Sequence, residues 1–343
     1  MQSIRRRVVL GIAAVAGAAT LALSGIVGAQ APKVLKISHQ FPASSGEDGD
    51  FRDRLAKKFA AEVEKRTNGQ LKIEVYPNGS LVKTFSQFGA LRKGTLDMSV
   101  LPIAYGGGEV PEANLGLMPA LVTSYDQGLR WKTSPIGKEW SKILEDKGIV
   151  ILTWVWQAGG IASKTDPVVS PDDAKGKKIR GGSKEMDLMI KGAGGAVTNV
   201  PSNEIYNAMS SGVLDGALTS STSLISFKLA ENSKAVTTAR NKSIWFMFEP
   251  LVISKDTWSK LTPEQQKIMM EVGASLEPFA KEAAQADDKE LAAVFGKAGA
   301  KVVDMDEAAF LKWQAIAKET AYKDFESNVK DGKKLLDMAL SVK

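Results

Sequence analysis

Two stretches of this chain repeat one another, and the repeat limits what the chain can fold into. Ala90-Leu91-Arg92-Lys93-Gly94-Thr95-Leu96-Asp97-Met98-Ser99-Val100 returns as Ala208-Met209-Ser210-Ser211-Gly212-Val213-Leu214-Asp215-Gly216-Ala217-Leu218, each time a helix end, a glycine and a short strand. Only Ala, Gly, Leu and Asp are shared. Glycine after a helix takes the left-handed cap conformation at little cost, so chance competes as an explanation. If the match reflects architecture, the chain holds two similar α/β halves. A cleft between them is then the natural binding site, because ligands in open α/β sheets bind beyond the carboxyl ends of strands.

The surroundings of each copy agree with that. Val34-Leu35-Lys36-Ile37 reads as a strand, and Phe51, Leu55, Phe59 and Val63 recur every four residues on a helix that stops at Thr67-Asn68-Gly69. Leu71 to Tyr76 alternates as a strand does, Asn78-Gly79 marks a turn, Phe85 to Lys93 a helix, and Thr95 to Val100 a third strand. This order predicts parallel α/β packing. It restarts at Lys177-Lys178-Ile179-Arg180, with a helix near Glu185 to Lys191, a strand at Ala196-Val197-Thr198 and a helix over Glu204 to Met209. Two apolar runs, Ile149 to Trp156 and Ile244 to Ser254, have the content of buried strands that carry the chain across and back. Thr262-Pro263-Glu264-Gln265 is a capping box, and the helix it starts is expected to kink at Pro278.

Arg5, Arg6 and Arg7 precede an uncharged Ala/Gly-rich run that ends at Val27-Gly28-Ala29, which predicts a signal peptide over 1–29 and an exported, periplasmic protein. The alternative, a permanent anchor, is disfavoured by the weak hydrophobicity of the run. Without those three arginines the formal charge of +6 becomes +3. No Lys/Arg block with interleaved aromatics is present, so nucleic acid is not an expected partner. With no cysteine and one histidine, His39, the chain lacks disulfides, thiolate nucleophiles and the common zinc and iron–sulfur sites. There is no G-x-S-x-G elbow and no P-loop, and Gly192-Ala193-Gly194 is an incomplete dinucleotide fingerprint. No metal, cofactor or catalytic residue is expected, which leaves a binding protein.

Leu35 to Pro42, Thr67 to Pro77, Gly94-Thr95-Leu96-Asp97, Lys175 to Arg180, Glu204-Ile205-Tyr206 and Gly212 to Gly216 together resemble the solute-binding subunits of tripartite ATP-independent periplasmic (TRAP) transporters, the DctP family, in order and spacing from about 33 to about 300. The resemblance implies a type II periplasmic-binding-protein fold: two α/β lobes joined by hinge strands, with a ligand cleft between them. The lobes are expected at 33–157 plus 246–285 and at 158–245 plus 286–343, the second including the C-terminal helices. It implies capture of a small organic acid, delivery to a membrane permease and no chemistry on the ligand, by a monomer.

Read alone, Arg180 ends a basic surface run. The resemblance instead assigns it the carboxylate clamp, a role that suits a planar guanidinium. A second arginine of many relatives falls on Gly160 here, and asparagines fall on Thr219 and Ser183, which implies a roomier, less cationic site. Gln157-Ala158-Gly159-Gly160 and Phe248-Glu249-Pro250 echo the 2-oxo-acid branch, but the Glu-Trp pair that helps hold a cation there is missing. The expected ligand-binding residues are Arg180, Gln157, Ser183, Thr219, Gln40, Trp156, Trp245 and Glu249. Two other readings remain: a binding protein of an ABC importer or sensor system, and an exported enzyme working through a carboxylate pair.

Overall fold

The computed structural model describes residues 31–343; the signal-peptide reading of 1–29 lies outside them. Twelve strands form among the described residues: β1 (Lys33–Ser38), β2 (Leu71–Tyr76), β3 (Met98–Val100), β4 (Ile149–Thr153), β5 (Trp156–Ser163), β6 (Lys178–Arg180), β7 (Ala196–Val197), β8 (Gly216–Ser220), β9 (Ala235–Thr238), β10 (Phe246–Phe248), β11 (Leu251–Ser254) and β12 (Lys301–Asp304). They make two sheets with helices on their faces. The first runs β2-β1-β3-β11-β4, and the second β12-β9-β5-β8-β6-β7 with β10 added on β5.

The two copies of the repeated stretch adopt one backbone. Gly94 and Gly212 take φ of 69° and 77°, and the amides of Leu96 and Leu214 reach back to the carbonyls of Ala90 and Ala208 at 3.2 and 3.0 Å. The shared aspartate has the same task in each. Asp97 accepts the Lys36 amide at 3.0 Å, and Asp215 accepts the Lys178 amide at 2.9 Å, so each carboxylate pins the start of the parallel strand beside it. The expected strand from Thr95 begins only at Met98 because Gly94 to Asp97 are consumed by this turn.

Pairing within each α/β unit is parallel, as β1 with β2 and β6 with β8. The connecting strands depart from that expectation. β11 lies antiparallel between β3 and β4, and β5 lies antiparallel against β8, β9 and β10. Each apolar run is therefore two strands rather than one. The first run breaks at Trp154-Val155, between β4 in one sheet and β5 in the other; the second breaks at Glu249-Pro250, between β10 and β11. Close approach dictates the glycines of β5. A Cβ on Gly159 would stand 2.3 Å from the Thr219 carbonyl oxygen, and one on Gly160 would stand 2.4 Å from that of Thr237.

The Thr262 capping box forms, with Thr262 Oγ1 accepting the Gln265 amide at 3.2 Å. The helix it starts does not kink at Pro278. It ends at Ser275, and a second helix, Glu277–Lys297, carries Pro278 in its first turn, where a missing N–H is harmless. Ile268, Met269 and Val272 of the first helix pack with Leu35, Phe59 and Leu71 under the first sheet. Leu291 and Phe295 of the second pack with Ala162, Met209 and Val236 under the other. Where the chain crosses, the Trp154 and Trp156 rings both pack at a tilt against Phe248, with centroids at 4.7 and 5.1 Å. Among the described residues no helix is long and apolar enough to cross a membrane.

Candidate functional site

β6 ends at Arg180, and its guanidinium is carried inward between the halves, leaving the residue 2% exposed. Nε donates to the Val200 carbonyl at 3.1 Å, Nη1 to the Leu218 carbonyl at 2.8 Å and Nη2 to the Tyr105 hydroxyl at 2.7 Å. A guanidinium has five N–H donors. Among the described residues three are engaged, which leaves one on each terminal nitrogen. Two parallel donors of that kind match a carboxylate.

Tyr105 comes from the first half and also accepts the Ser202 amide at 3.0 Å. Accepting two N–H groups leaves its own hydrogen to donate. Ser202 in turn takes the Gln40 side-chain N–H at 2.9 Å, and Gln40 Oε1 is buried without a partner among the described residues. Arg180, Tyr105 and Gln40 are thus linked across the two halves. Beside them lies a cavity of about 440 Å³ lined by Tyr105 and Asn114 from one half and by Gly182, Ser183, Asp187 and Asn199 from the other. Gly182 has φ +101°, and a Cβ there would meet Arg180 Nη1 at 2.7 Å. Any side chain at that position would obstruct the guanidinium.

Ser183 borders the cavity, but its hydroxyl is engaged. It caps the helix Lys184–Gly192 by accepting the Met186 amide at 3.1 Å and donates to the Leu117 carbonyl at 3.0 Å. Burial pushes the Asp187 carboxyl up to about 6, against the pull of Arg180. Thr219 is buried on β8, two residues beyond Ala217, which pairs with Arg180. Trp245 donates its indole N–H to the Gly181 carbonyl at 3.1 Å, placing its ring over Gly159. Trp156 goes elsewhere, into the aromatic packing with Trp131 and Phe248.

Gln157 and Glu249 form a second polar group. The Gln157 amide donates to Glu249, and Arg52 Nη1 reaches Glu249 Oε2 at 3.1 Å. Arg52 also grips Asp50 through Nε at 2.8 Å and Nη2 at 2.6 Å, and reaches Ser223 at 3.0 Å. Its guanidinium lies 3.7 Å from the centre of the Phe41 ring. Burial raises the Glu249 carboxyl above its ordinary range even with Arg52 beside it. His39, the one histidine of the chain, is bound to Asp53 at 3.0 Å.

Sequence reasoning missed Tyr105, Arg52 and Asp50. Tyr105 carries a signal, an aromatic residue just before Gly106-Gly107-Gly108. Arg52 carries none, because Asp50-Phe51-Arg52-Asp53 reads like the solvated first turn of a helix.

In the helix Lys184–Gly192, Glu185 is buried with both carboxylate oxygens unpartnered among the described residues, and burial pushes its pKa from 4.5 up to about 8. A carboxyl with a raised folded pKa takes up a proton on folding, so its contribution to stability is fullest below the unfolded value and is lost as pH rises toward about 8. Glu185→Gln should therefore raise the melting temperature, and by more at about pH 8 than at about pH 5. Equal shifts at both pH values in thermal unfolding would contradict this.

A family model described as bacterial extracellular solute-binding protein, family 7 (DctP), matches residues 44–328. A solute-binding protein of Albidiferax ferrireducens is 57% identical over 305 residues, which cover 89% of this chain and 90% of that one. The C4-dicarboxylate-binding periplasmic protein DctP of Rhodobacter capsulatus is 30% identical over 73% of this chain and 74% of its own. Among solved structures, a TRAP periplasmic solute-binding protein from Rhodoferax ferrireducens with bound malonate superposes with a TM-score of 0.88 at 56% identity, covering 90% of this chain and 98% of that one. With these matches, this chain belongs to the DctP family of TRAP solute-binding proteins.

Proposed function

We propose that the protein works in the periplasm, captures a small organic acid there by closing its two lobes, and passes it unaltered to a TRAP membrane permease. The observation that carries this is Arg180, buried between the halves with two N–H groups unengaged among the described residues; it does not itself line the cavity walled by both halves, but its partner Tyr105 and its neighbour Gly182 do. One ligand carboxylate on Arg180, with the Tyr105 hydroxyl as a further donor, ties the halves together. Closure is then driven by the ligand's greater affinity for the closed state than for the open one. The chain crosses between the sheets at Trp154-Val155 and Glu249-Pro250, and these pairs serve as the hinge. Malonate in the Rhodoferax ferrireducens relative supports a short acid as ligand.

A thermal-shift screen tests this, using malonate, succinate, pyruvate, lactate and glucuronate against neutral malonamide. A ligand at about 100 times Kd should stabilise the fold by about 2.7 kcal/mol. At least one acid should raise the melting temperature while malonamide does not; equal shifts from the neutral compound would overturn the carboxylate reading. Tyr105→Phe should weaken the best acid on the order of tenfold, the effect of losing one hydrogen bond to a charged group. Titration calorimetry reads that loss, and an unchanged Kd would remove Tyr105 from the site.

A further inference from the structure

Two polar side chains face each other's half across the cavity beside Arg180. Asn114 lines it from the first half and Asp187, on the helix Lys184–Gly192, from the second. Asn114 is 3% exposed, yet its carboxamide is neither enclosed by protein nor hydrogen-bonded among the described residues. A polar group placed that deep costs free energy unless something pairs with it. Asp187 has its Oδ1 tucked against the Gly181 backbone, while Oδ2 is neither enclosed nor hydrogen-bonded among the described residues. Glycines make room for both, as Gly182 does for Arg180. A Cβ on Gly181 would stand 2.6 Å from Asp187 Oδ1, and one on Gly107 would stand 1.9 Å from Asn114 Oδ1.

The pair is selective in what it can satisfy. An ionised carboxylate only accepts hydrogen bonds, whereas a carboxamide brings two N–H donors. A hydroxyl group uses both, since it donates one hydrogen and accepts on its oxygen. A second carboxylate would meet the like charge of Asp187, and an ammonium would meet Arg180 and the two lysines of the cavity wall, Lys184 and Lys191. Those lysines do not make a dicarboxylate site. Lys184 is paired with Asp324, and the charge of Lys191, an exposed residue one turn along the helix, is already set against Asp187. Resting on the reading of Arg180 as the carboxylate clamp, we propose that the ligand is a hydroxy acid, with a hydroxyl that donates to Asp187 Oδ2 and accepts from the Asn114 carboxamide. These two residues then select it over unsubstituted acids and over dicarboxylates, while Phe85 and Leu188 give its carbon chain an apolar wall.

Two sets of acids test this, propionate with lactate and malonate, and hexanoate with gluconate and adipate. Within each set the chain length is constant and only the companion of the carboxylate changes. Titration calorimetry is run at about pH 8, above the value of about 6 for Asp187, so that its carboxylate is ionised. In at least one set the hydroxy acid should bind on the order of tenfold tighter than both companions, the effect of a hydrogen bond to a charged group. Asn114→Ala and Asp187→Ala should each remove most of that advantage without weakening the unsubstituted acid, and should melt close to the wild type. No advantage for the hydroxy acid in either set, including the case in which none of the six binds, or an advantage that both variants keep, would overturn the proposal. Arg180→Ala separates it from the clamp. If that variant abolishes binding of every acid while no hydroxyl preference exists, the hydroxyl assignment fails and the clamp stands; if it binds every acid as before with the preference intact, the clamp fails and the Asp187–Asn114 pair stands.

Discussion

Arg52→Ala should lower the stability of the fold by about 3–5 kcal/mol, because it strands buried acids that have no other cation. Arg52 is fully buried, paired with Asp50 at 2.6 Å and with Glu249 at 3.1 Å, and hydrogen-bonded to Ser223. A buried ion pair owes little of its worth to attraction alone, since desolvating both charges costs nearly as much as pairing returns. Removing one partner is different, because the cost of the remaining charge is left uncompensated. Thermal unfolding should show a fall in Tm on the order of 10 °C. Arg52→Met combined with Asp50→Asn and Glu249→Gln should recover most of that loss, since no charge is then left unpaired. If Arg52→Ala melts with the wild-type protein, the network contributes nothing to stability. Its position matters for function as well. Asp50 caps the helix Phe51–Arg66 that carries Arg52, Ser223 follows β8 of the second sheet, and Glu249 sits at a crossing, so the network joins the halves beside the proposed hinge.

Much of this fold is legible in the sequence wherever local rules and the final environment agree. β2 occupies the alternating stretch from Leu71 to Tyr76, and Asn68 and Asn78 take the left-handed conformation their turns require. The repeat was legible for the same reason, with each glycine and aspartate serving a purely local turn. What stayed hidden depends on distant partners. Ser38 and Arg180 end equivalent strands, β1 and β6, and each contacts a valine of the following unit: Ser38 Oγ accepts the Val82 amide at 3.2 Å, and Arg180 Nε donates to the Val200 carbonyl at 3.1 Å. One position thus holds a small structural hydroxyl in one half and the candidate clamp in the other. No spacing rule distinguishes the two, and only the family resemblance pointed to the second. The antiparallel run of β5 was equally hidden, because an apolar strand with buried faces looks the same in either direction.

That comparison sharpens the prediction with the largest functional effect. Arg180→Ala should cost about 2–5 kcal/mol of ligand binding, roughly 30-fold to several thousand-fold in Kd, by leaving the ligand carboxylate buried and unpaired. Arg180→Lys should not restore affinity. One ammonium cannot reach the Val200 and Leu218 carbonyls and Tyr105 while still presenting two parallel donors to a carboxylate, so charge is kept but geometry is lost. If charge alone sufficed, lysine would recover most of the affinity; if the arginine were only a brace for the two carbonyls, both variants would lose stability with little change in Kd. Calorimetry with the best acid from the screen, beside thermal unfolding of the unliganded variants, separates these cases. The clamp requires a large loss of affinity in both variants with unfolding midpoints close to the wild type, and an Arg180→Ala protein that binds its acid as before would end the assignment.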